Sequence, residues 1–319
     1  MRKCGNMCLY RRALTGVLAV LLAVGISACG GKAKPGQETG VSQKAEITQE
    51  KASAPVWEDM RPERSMKLSY AKQFSVDYYD GGYDLIQVQD DSTCLVVPEG
   101  AAVPEGLPAS ITVLQKPLDH VYLAATSAMD LIAALGRVDR ITLSGTKESG
   151  WYVDAARQAM EDGTLSYAGK YSAPDYEQIL SSGCDLALES TMIYHVPDVK
   201  AQLEQLKIPV FVERSSYEEH PLGRMEWIRL YGVLFDAEET AEQLFQEQVQ
   251  QLDTVLTGQS VGKSAAFFYI TSNGAVNVRK PGDYVAKMIE LAGGSYVPKT
   301  ADTDENALST MNMQMETFY

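Results

Sequence analysis

The hydrophobic positions of residues 236–256 recur at steps of three and four. They therefore share one face of a helix, and glutamate and glutamine occupy the other face. Asp236 and Glu239 have the spacing of a capping box, which predicts that the helix begins here. At about 1.5 Å per residue it would span about 31 Å. Because it separates two stretches of strand and helix patterns, we interpret it as a connector between two α/β lobes. An ordinary core helix of one large domain is the alternative.

The pattern upstream begins with short alternating segments. Residues 69–76 and 83–88 flank Asp80-Gly81-Gly82, a strong turn sequence, and this arrangement predicts a β-hairpin. Residues 93–97 predict a third strand. Residues 100–108 are rich in glycine and proline and predict a loop.

From residue 121 onward, apolar strands alternate with amphipathic helices. Strands are predicted at 121–125, 140–143, 185–188 and 209–212, and helices at 151–161, 175–181, 196–206 and 222–235, with a further helix ending at 135. Pro174 lies near the start of its helix, which suits the first helical turn. Such alternation predicts a mostly parallel sheet with helices on both faces.

After the connector, strands are predicted at 264–270 and 275–279, and a helix at 283–291. Residues 311–319 continue an apolar pattern, and the sequence ends inside it. Two strands are too little sheet to cover their own helix, so we expect the second lobe to be incomplete. The predicted organisation is α/β, with two lobes of mostly parallel sheet joined by one long helix: an N-terminal lobe at 61–235, the interlobe helix at 236–258 and a partial C-terminal lobe at 259–319.

The first 28 residues have the pattern of a processing signal. Basic residues precede a short apolar core at 13–26, and Ile26-Ser27-Ala28-Cys29 follows. Small residues before a cysteine resemble the lipobox of bacterial lipoproteins, in which the cysteine carries the lipid. A plain signal peptide, or a membrane anchor with an incidental Cys29, is the alternative, although the apolar run is short for a spanning helix. Residues 29–60 have few large apolar residues and predict a flexible tether.

Composition narrows the class of partner. The 319 residues carry a formal net charge of −14. Because binding to nucleic acid requires a basic face, we expect no nucleic-acid partner. Hydrophobic content of 45% is that of a folded soluble protein, and the length allows two domains. Cys94 and Cys184 lie in apolar surroundings, which favours buried free thiols over a disulfide.

Candidate ligand residues follow the predicted strands. Ligands of parallel α/β sheets bind beyond the carboxyl ends of the strands, where loops lead into helices. These loops are rich in hydroxyl and aromatic side chains, which suit a large polar or ring-bearing ligand, although helix caps and turns use the same residues. The candidates are Thr126, Ser127, Ser144, Tyr171, Ser172, Ser190, Tyr194, His195, Ser215 and Tyr217.

Enzyme motifs are scarce in this sequence. It contains no G-x-S-x-G, H-E-x-x-H, P-loop or strand-linked G-x-G-x-x-G motif. Its three histidines, His120, His195 and His220, are not spaced as metal ligands. His195, beside Tyr194, is a candidate axial ligand to a metal complex, with a surface or hydrogen-bonded histidine as the alternative. We predict a binding protein without catalysis and without an intrinsic cofactor or bare metal site.

Several segments, taken in order, resemble the lipid-anchored substrate-binding proteins of ABC importers for iron-siderophores, haem and cobalamin. They are TSAMDLIAALG (126–136), AGKYSAPDYEQILSSGCDLAL (168–188), LKIPVFV (206–212), HPLGRMEWIRLYGVLF (220–235), YVAKMIELAGG (284–294) and MQMETFY (313–319). The resemblance implies two α/β lobes joined by one rigid helix, with the ligand between them. By motif position it also implies two permease-docking glutamates, Glu177 and Glu316. In the family the second lobe continues with further strand and helix pairs beyond the last of these segments.

We therefore expect a bacterial lipoprotein at the extracytoplasmic face of the cell membrane. It would capture a metal chelate, an iron-siderophore first and cobalamin or haem second, and deliver it to an ABC permease and its ATPase. Arg279, which ends a predicted strand, is a candidate partner for an anionic chelate, with a structural surface arginine as the alternative. A surface α/β hydrolase and an adhesion lipoprotein are the alternatives from other classes.

Overall fold

The fold is taken from a computed structural model that describes residues 54–256, 260, 262–298 and 310–319. The signal segment 1–28, the proposed lipidation site Cys29 and most of the predicted tether at 29–60 lie outside these ranges. Within them, every helix is too short or too polar to cross a lipid bilayer.

The first sheet has five strands in the order of the chain. They are β1 (Pro62–Ser65), β2 (Phe74–Tyr79), β3 (Asp84–Val88), β4 (Thr93–Val97) and β5 (Ile111–Gln115). Strands β2 and β3 pair antiparallel, which confirms the predicted hairpin, and β4 confirms the third strand. Neither β1 nor β5, which is parallel to β4, was predicted.

The hairpin begins later than predicted, at Phe74 instead of residue 69. The backbone N–H groups of residues 69–73 donate to the side-chain carboxylates of Glu226 and Glu218, so they are not available to a strand ladder. The two acceptors lie about 150 residues away in the sequence, beyond the reach of any local pattern.

The second sheet is wholly parallel and has the order β12-β11-β6-β7-β8. Its strands are β6 (Val121–Leu123), β7 (Ile141–Ser144), β8 (Ser166–Tyr167), β11 (Leu186–Ser190) and β12 (Val210–Glu213), and a small hairpin, β9 (Gly169–Lys170) with β10 (Ala173–Pro174), follows β8. The helices of this region are α1 (Ala128–Ala134), α2 (Asp154–Glu161), α3 (Tyr176–Ser181), α4 (Pro197–Gln205) and α5 (Pro221–Leu234). The α/β class and the parallel central sheet are therefore confirmed.

Alternate residues of the parallel strands enter different apolar cores. Leu186 and Leu188 of β11 pack in the cluster that contains α1 and α5, whereas Ala187 packs with Ile179 of α3 and Leu203 of α4. Helices thus cover both faces of the sheet, as the alternating pattern predicts. Pro174 does not lie in the first turn of α3, since it belongs to β10 and the N-cap is Asp175, whose carboxylate accepts from Gln178 N–H.

Helix α6 (Glu238–Val255) confirms the long helix, but the predicted capping box is wrong. Asp236 has φ +52°, and its carboxylate lies 2.6 Å from Lys116 Nζ. The N-cap position is Ala237, whose side chain has no oxygen that could accept a hydrogen bond from the N–H groups of the first turn. The first two turns of α6 pack closely on α5: a Cβ at Gly232 would lie 2.8 Å from Cβ of Ala241. The start of α6 therefore belongs to the core of the first lobe.

The C-terminal region contains a three-stranded antiparallel sheet, β14-β15-β17, and a short parallel pair, β13 with β16. The elements are β13 (Ser264–Ala265), β14 (Phe268–Ile270), β15 (Val276–Arg279), α7 (Tyr284–Leu291), β16 (Ser295–Tyr296), β17 (Thr310–Met313) and α8 (Met315–Phe318). The strand predicted at 264–270 is divided into β13 and β14. Helix α7 confirms the helix predicted at 283–291, with Asp283 as its N-cap.

Candidate ligand-binding site

The carboxyl ends of β6 and β12 are joined by one buried carboxylate. Glu213, the last residue of β12, accepts hydrogen bonds from the Ser127 hydroxyl and from Ser215 N–H, the latter at 2.9 Å. The carboxylate is almost completely buried, so both donors offset the cost of removing its charge from water. Two of the predicted ligand residues, Ser127 and Ser215, are thereby brought together, and both bond to Glu213.

Two other predicted hydroxyls hold their own loops. Ser144 is fully buried; its Oγ donates to the Thr146 carbonyl at 2.7 Å and accepts from Trp151 Nε1 at 3.1 Å. Ser190 accepts from Met192 N–H and caps the 3-10 turn that follows β11. These bonds are those of caps and turns, and they give the loops at the sheet edge a defined shape.

An aromatic and basic cluster lies at the same edge. The Arg214 guanidinium lies 4.3 Å from the centre of the Tyr217 ring, and its Nε donates to Gln73 Oε1 at 3.2 Å. Tyr194, about two-fifths exposed, donates its hydroxyl to Asp90, which comes from the β3–β4 turn of the first sheet. Arg214 was not among the predicted residues; its position directly after β12 was the available clue.

Asp90 is held in its charged form by this cluster. Partial burial acts to raise the pKa of its carboxyl group, but hydrogen bonds from Ser92 and Tyr194 and the charge of Arg214 act against burial and lower the pKa overall. Burial and the bond to Asp90 raise the pKa of Tyr194 well above its usual value. The pair therefore remains a phenol donating to a carboxylate at neutral pH.

Two further arginines meet near the start of α7. Arg224 of α5 lies with its guanidinium carbon 3.6 Å above the centre of the Tyr284 ring. Arg279, at the end of β15, lies 3.4 Å from the Asp283 carboxylate and has about a third of its side chain exposed. Adjacent residues thus contact both guanidinium groups, since Asp283 pairs with Arg279 and the ring of Tyr284 lies under Arg224.

The remaining predicted ligand residues occupy separate loops. Thr126 and His195 are exposed, and Tyr171 and Ser172 form the half-buried tip of the β9–β10 hairpin. That hairpin is tight: Gly169 has φ +80°, and a Cβ there would lie 2.4 Å from the Ala173 carbonyl. Across the parts of the chain that the structure describes, no group of three metal-ligating side chains forms a metal site.

Glu177 and Glu316, the predicted docking residues, are both exposed. Glu177 lies in the first turn of α3 and Glu316 in α8. Within the described ranges neither carboxylate has a hydrogen bond or an ion pair, so both remain open to an external partner.

Glu189 was not predicted, and it is the most unusual charge of the sheet edge. Its side chain is completely buried near the end of β11, and neither carboxyl oxygen has a hydrogen-bond partner among the described residues. Burial raises the pKa of Glu189 to about 8. The group is therefore protonated at neutral pH, next to Tyr122 and Tyr176.

Comparison with known proteins supports the fold. No protein-family model matches the sequence. The chain is 23% identical to an uncharacterized lipoprotein of Methanocaldococcus jannaschii, over 95% of this chain and 75% of that protein. It is similar to the crystal structure of the periplasmic heme-binding protein HutB of Vibrio cholerae, with a TM-score of 0.50 and 18% identity over 62% of this chain and 71% of that one. The vitamin B12 binding protein BtuF of Vibrio cholerae is similar at a TM-score of 0.43, with 18% identity over 63% and 72% of the two chains. The likeness to HutB confirms the two-lobe α/β fold.

Proposed function

We propose that this chain is an extracytoplasmic solute-binding lipoprotein that captures a metal chelate and delivers it to an ABC permease and its ATPase. The observation that carries the proposal is the loop of residues 214–218 at the carboxyl edge of the parallel sheet. Arg214 and Tyr217 belong to this loop, and Arg224 bonds to it beside Arg279. Guanidinium groups interleaved with aromatic rings suit a large anionic, ring-bearing ligand.

An anionic chelate fits this surface best. Three half-buried arginines, Arg214, Arg224 and Arg279, favour a ligand that carries carboxylate or other oxygen anions. We therefore rank a ferric siderophore first, with cobalamin or haem as the alternative on the same scaffold. His195 is exposed at the sheet edge and is available as an axial ligand to haem or cobalamin.

Replacing Arg214 by glutamine should weaken chelate binding about 10- to 100-fold, since one charge-assisted contact is lost. The measurement is quenching of intrinsic tryptophan fluorescence across a panel of ferric enterobactin, ferrichrome, hemin and cyanocobalamin. Arg157→Gln on α2 is the matched control, because it removes an arginine outside the loop of residues 214–218. The Arg157 side chain is half-exposed, and its Nη1 lies 3.8 Å from Oδ1 of Asp154. Lack of binding by the wild-type chain to every probe would reject the proposal, and turnover of a chromogenic ester would favour the hydrolase alternative.

The exposed glutamates should act in delivery and leave capture unchanged. In proteoliposomes containing the cognate permease and ATPase, the Glu177→Ala, Glu316→Ala double variant should reduce uptake about tenfold or more while chelate affinity stays constant. Two carboxylates on a rigid body fix its orientation on a basic partner, which is why we expect the pair to matter. Glu161→Ala, an exposed acid at the end of α2, serves as control. Full uptake by the double variant would contradict the docking assignment.

Attachment to the membrane is assigned to Cys29. The lipobox-like residues 26–29 and the name of the Methanocaldococcus jannaschii relative support a lipid anchor. The polar part of the segment predicted as a tether at 29–60 would hold the binding lobes near the permease. Its last residues belong to the first lobe instead, since Val56 pairs with Glu105 and Trp57 and Met60 pack on the core of the first sheet.

A further inference from the structure

The loop of residues 214–218 is linked to the C-terminal lobe through the side chain of Arg224. Its Nη2 donates to the Ser216 carbonyl at 2.6 Å, and its Nε donates toward the Glu218 carbonyl at 3.3 Å. The face of the same guanidinium lies 3.6 Å from the centre of the Tyr284 ring. One planar group therefore contacts the loop by its edge and the other lobe by its face.

The Tyr284 side of this contact belongs to a well-defined unit. Tyr284 is the first residue of α7, and Asp283 caps that helix by accepting from Val285 N–H at 2.9 Å. The other oxygen of the buried Asp283 carboxylate lies 3.4 Å from Arg279. An ion pair therefore joins Arg279 to the start of α7.

The surroundings of the contact leave room for such a displacement. Beside it lies a cavity of about 470 Å³ between Tyr70 and His220 on the first lobe and Pro281 and Lys287 on the second. The lobes are therefore not packed together at this place. A guanidinium that lies flat on a ring makes a contact without directional hydrogen bonds, so it tolerates rotation of one partner over the other.

The loop does not depend on Arg224 for its folding. Glu218, at its end, is buried and accepts from Lys72 and Gln73 N–H and from Trp227 Nε1. These bonds are within the first lobe and would survive removal of Tyr284. A change in the loop after substitution of Tyr284 would therefore report transmission through Arg224.

We propose that Arg224 is a positioning residue that couples the ligand loop 214–218 to the C-terminal lobe. Arg224 fixes the position of Arg214 and Tyr217 relative to Arg279. Binding of a chelate to the loop therefore depends on the position of α7, and the position of α7 depends on binding. The assignment rests on the proposed function for its ligand, whereas the coupling itself is a property of the chain alone.

The coupling can be measured without a ligand. Hydrogen–deuterium exchange of the full chain, followed by mass spectrometry, should show about 3- to 10-fold faster exchange in peptides covering 214–218 for Tyr284→Ala. Tyr284→Phe keeps the ring and should match the wild type. Lys287→Ala, which changes another side chain of α7 at the cavity, should also leave the loop unchanged. Wild-type exchange of the loop in Tyr284→Ala would overturn the proposal.

Binding kinetics supply the second measurement, with whichever of ferric enterobactin, ferrichrome, hemin or cyanocobalamin the wild type binds. Arg224→Lys keeps the charge but loses the planar fork, and it should raise the dissociation rate about tenfold, as should Tyr284→Ala. The double variant should be no worse than either single variant, because both remove the same link. A dissociation rate in the double variant raised by the product of the two single effects would overturn the coupling. Absence of wild-type binding would reject the proposed function and leave the exchange result to decide the coupling.

Discussion

Replacing Glu226 by alanine is expected to lower the free energy of unfolding by about 3–5 kcal/mol. The Glu226 carboxylate is fully buried and accepts from the backbone N–H groups of Ser69, Tyr70 and Ala71 at 2.7–2.8 Å. It also lies 3.2 Å from Arg229. Its removal leaves three backbone donors without their acceptor, whereas Arg229 keeps the Glu242 carboxylate at 2.8 Å and the Lys67 carbonyl at 2.6 Å. The Ala71 donor is buried, and a buried donor without a partner costs more than the loss of the same bond at a surface.

The test is denaturant unfolding of the full chain, monitored by tryptophan fluorescence. The emission reports the first lobe because Trp57, Trp151 and Trp227 all lie there. Glu226→Gln keeps the shape and one acceptor and should lie between the wild type and Glu226→Ala. Glu247→Ala, an exposed glutamate on α6, should change stability by no more than about 0.5 kcal/mol. A loss under about 1 kcal/mol in Glu226→Ala would contradict this account.

The free energy of unfolding of the wild type is expected to fall as pH rises, and replacing Glu189 by glutamine should remove most of this fall. Burial raises the pKa of Glu189 from 4.5 to about 8, so the folded chain keeps this proton through neutral pH. The unfolded chain releases it above its ordinary pKa. The stabilisation is therefore complete below about pH 4.5 and declines by about 1.4 kcal/mol per pH unit until about pH 8, a total of about 3–5 kcal/mol.

Unfolding free energies measured between pH 5 and 9 test this expectation. Glu189→Gln cannot ionise, so its stability should vary less with pH and should exceed that of the wild type most at pH 8–9. Glu213→Gln is the matched control at the end of the neighbouring strand. Because Glu213 accepts from Ser127 and Ser215, its replacement should destabilise the chain. An identical pH slope in the wild type and in Glu189→Gln would disprove the assignment.

The elements that the sequence predicted correctly are those with a local cause. Helix α6 follows from apolar residues at steps of three and four, and β4 matches the predicted 93–97 segment. The parallel sheet follows from the order of strands and helices. A hydrophobic period depends only on neighbours a few positions away, so it is visible without any knowledge of the fold.

The errors share a different cause. The capping box at Asp236 failed because Lys116, 120 positions earlier, binds its carboxylate. The strand predicted from residue 69 failed because Glu226 and Glu218 take its N–H groups. In both cases a polar group found a distant partner in place of the local one that the pattern offered.

The candidate site also has features that the sequence predicted and features that depend on distant contacts. The sequence by itself determined which loops follow the strands and that hydroxyls, aromatics and Arg279 populate them. Only the tertiary structure decided that Ser127 and Ser144 bond inward, that Arg214 lies on Tyr217, that Arg224 joins two lobes and that Glu189 is buried without a partner. Periodicity is a property of adjacent residues, whereas the burial of a charge and the identity of its partner depend on segments that meet only when the chain is folded.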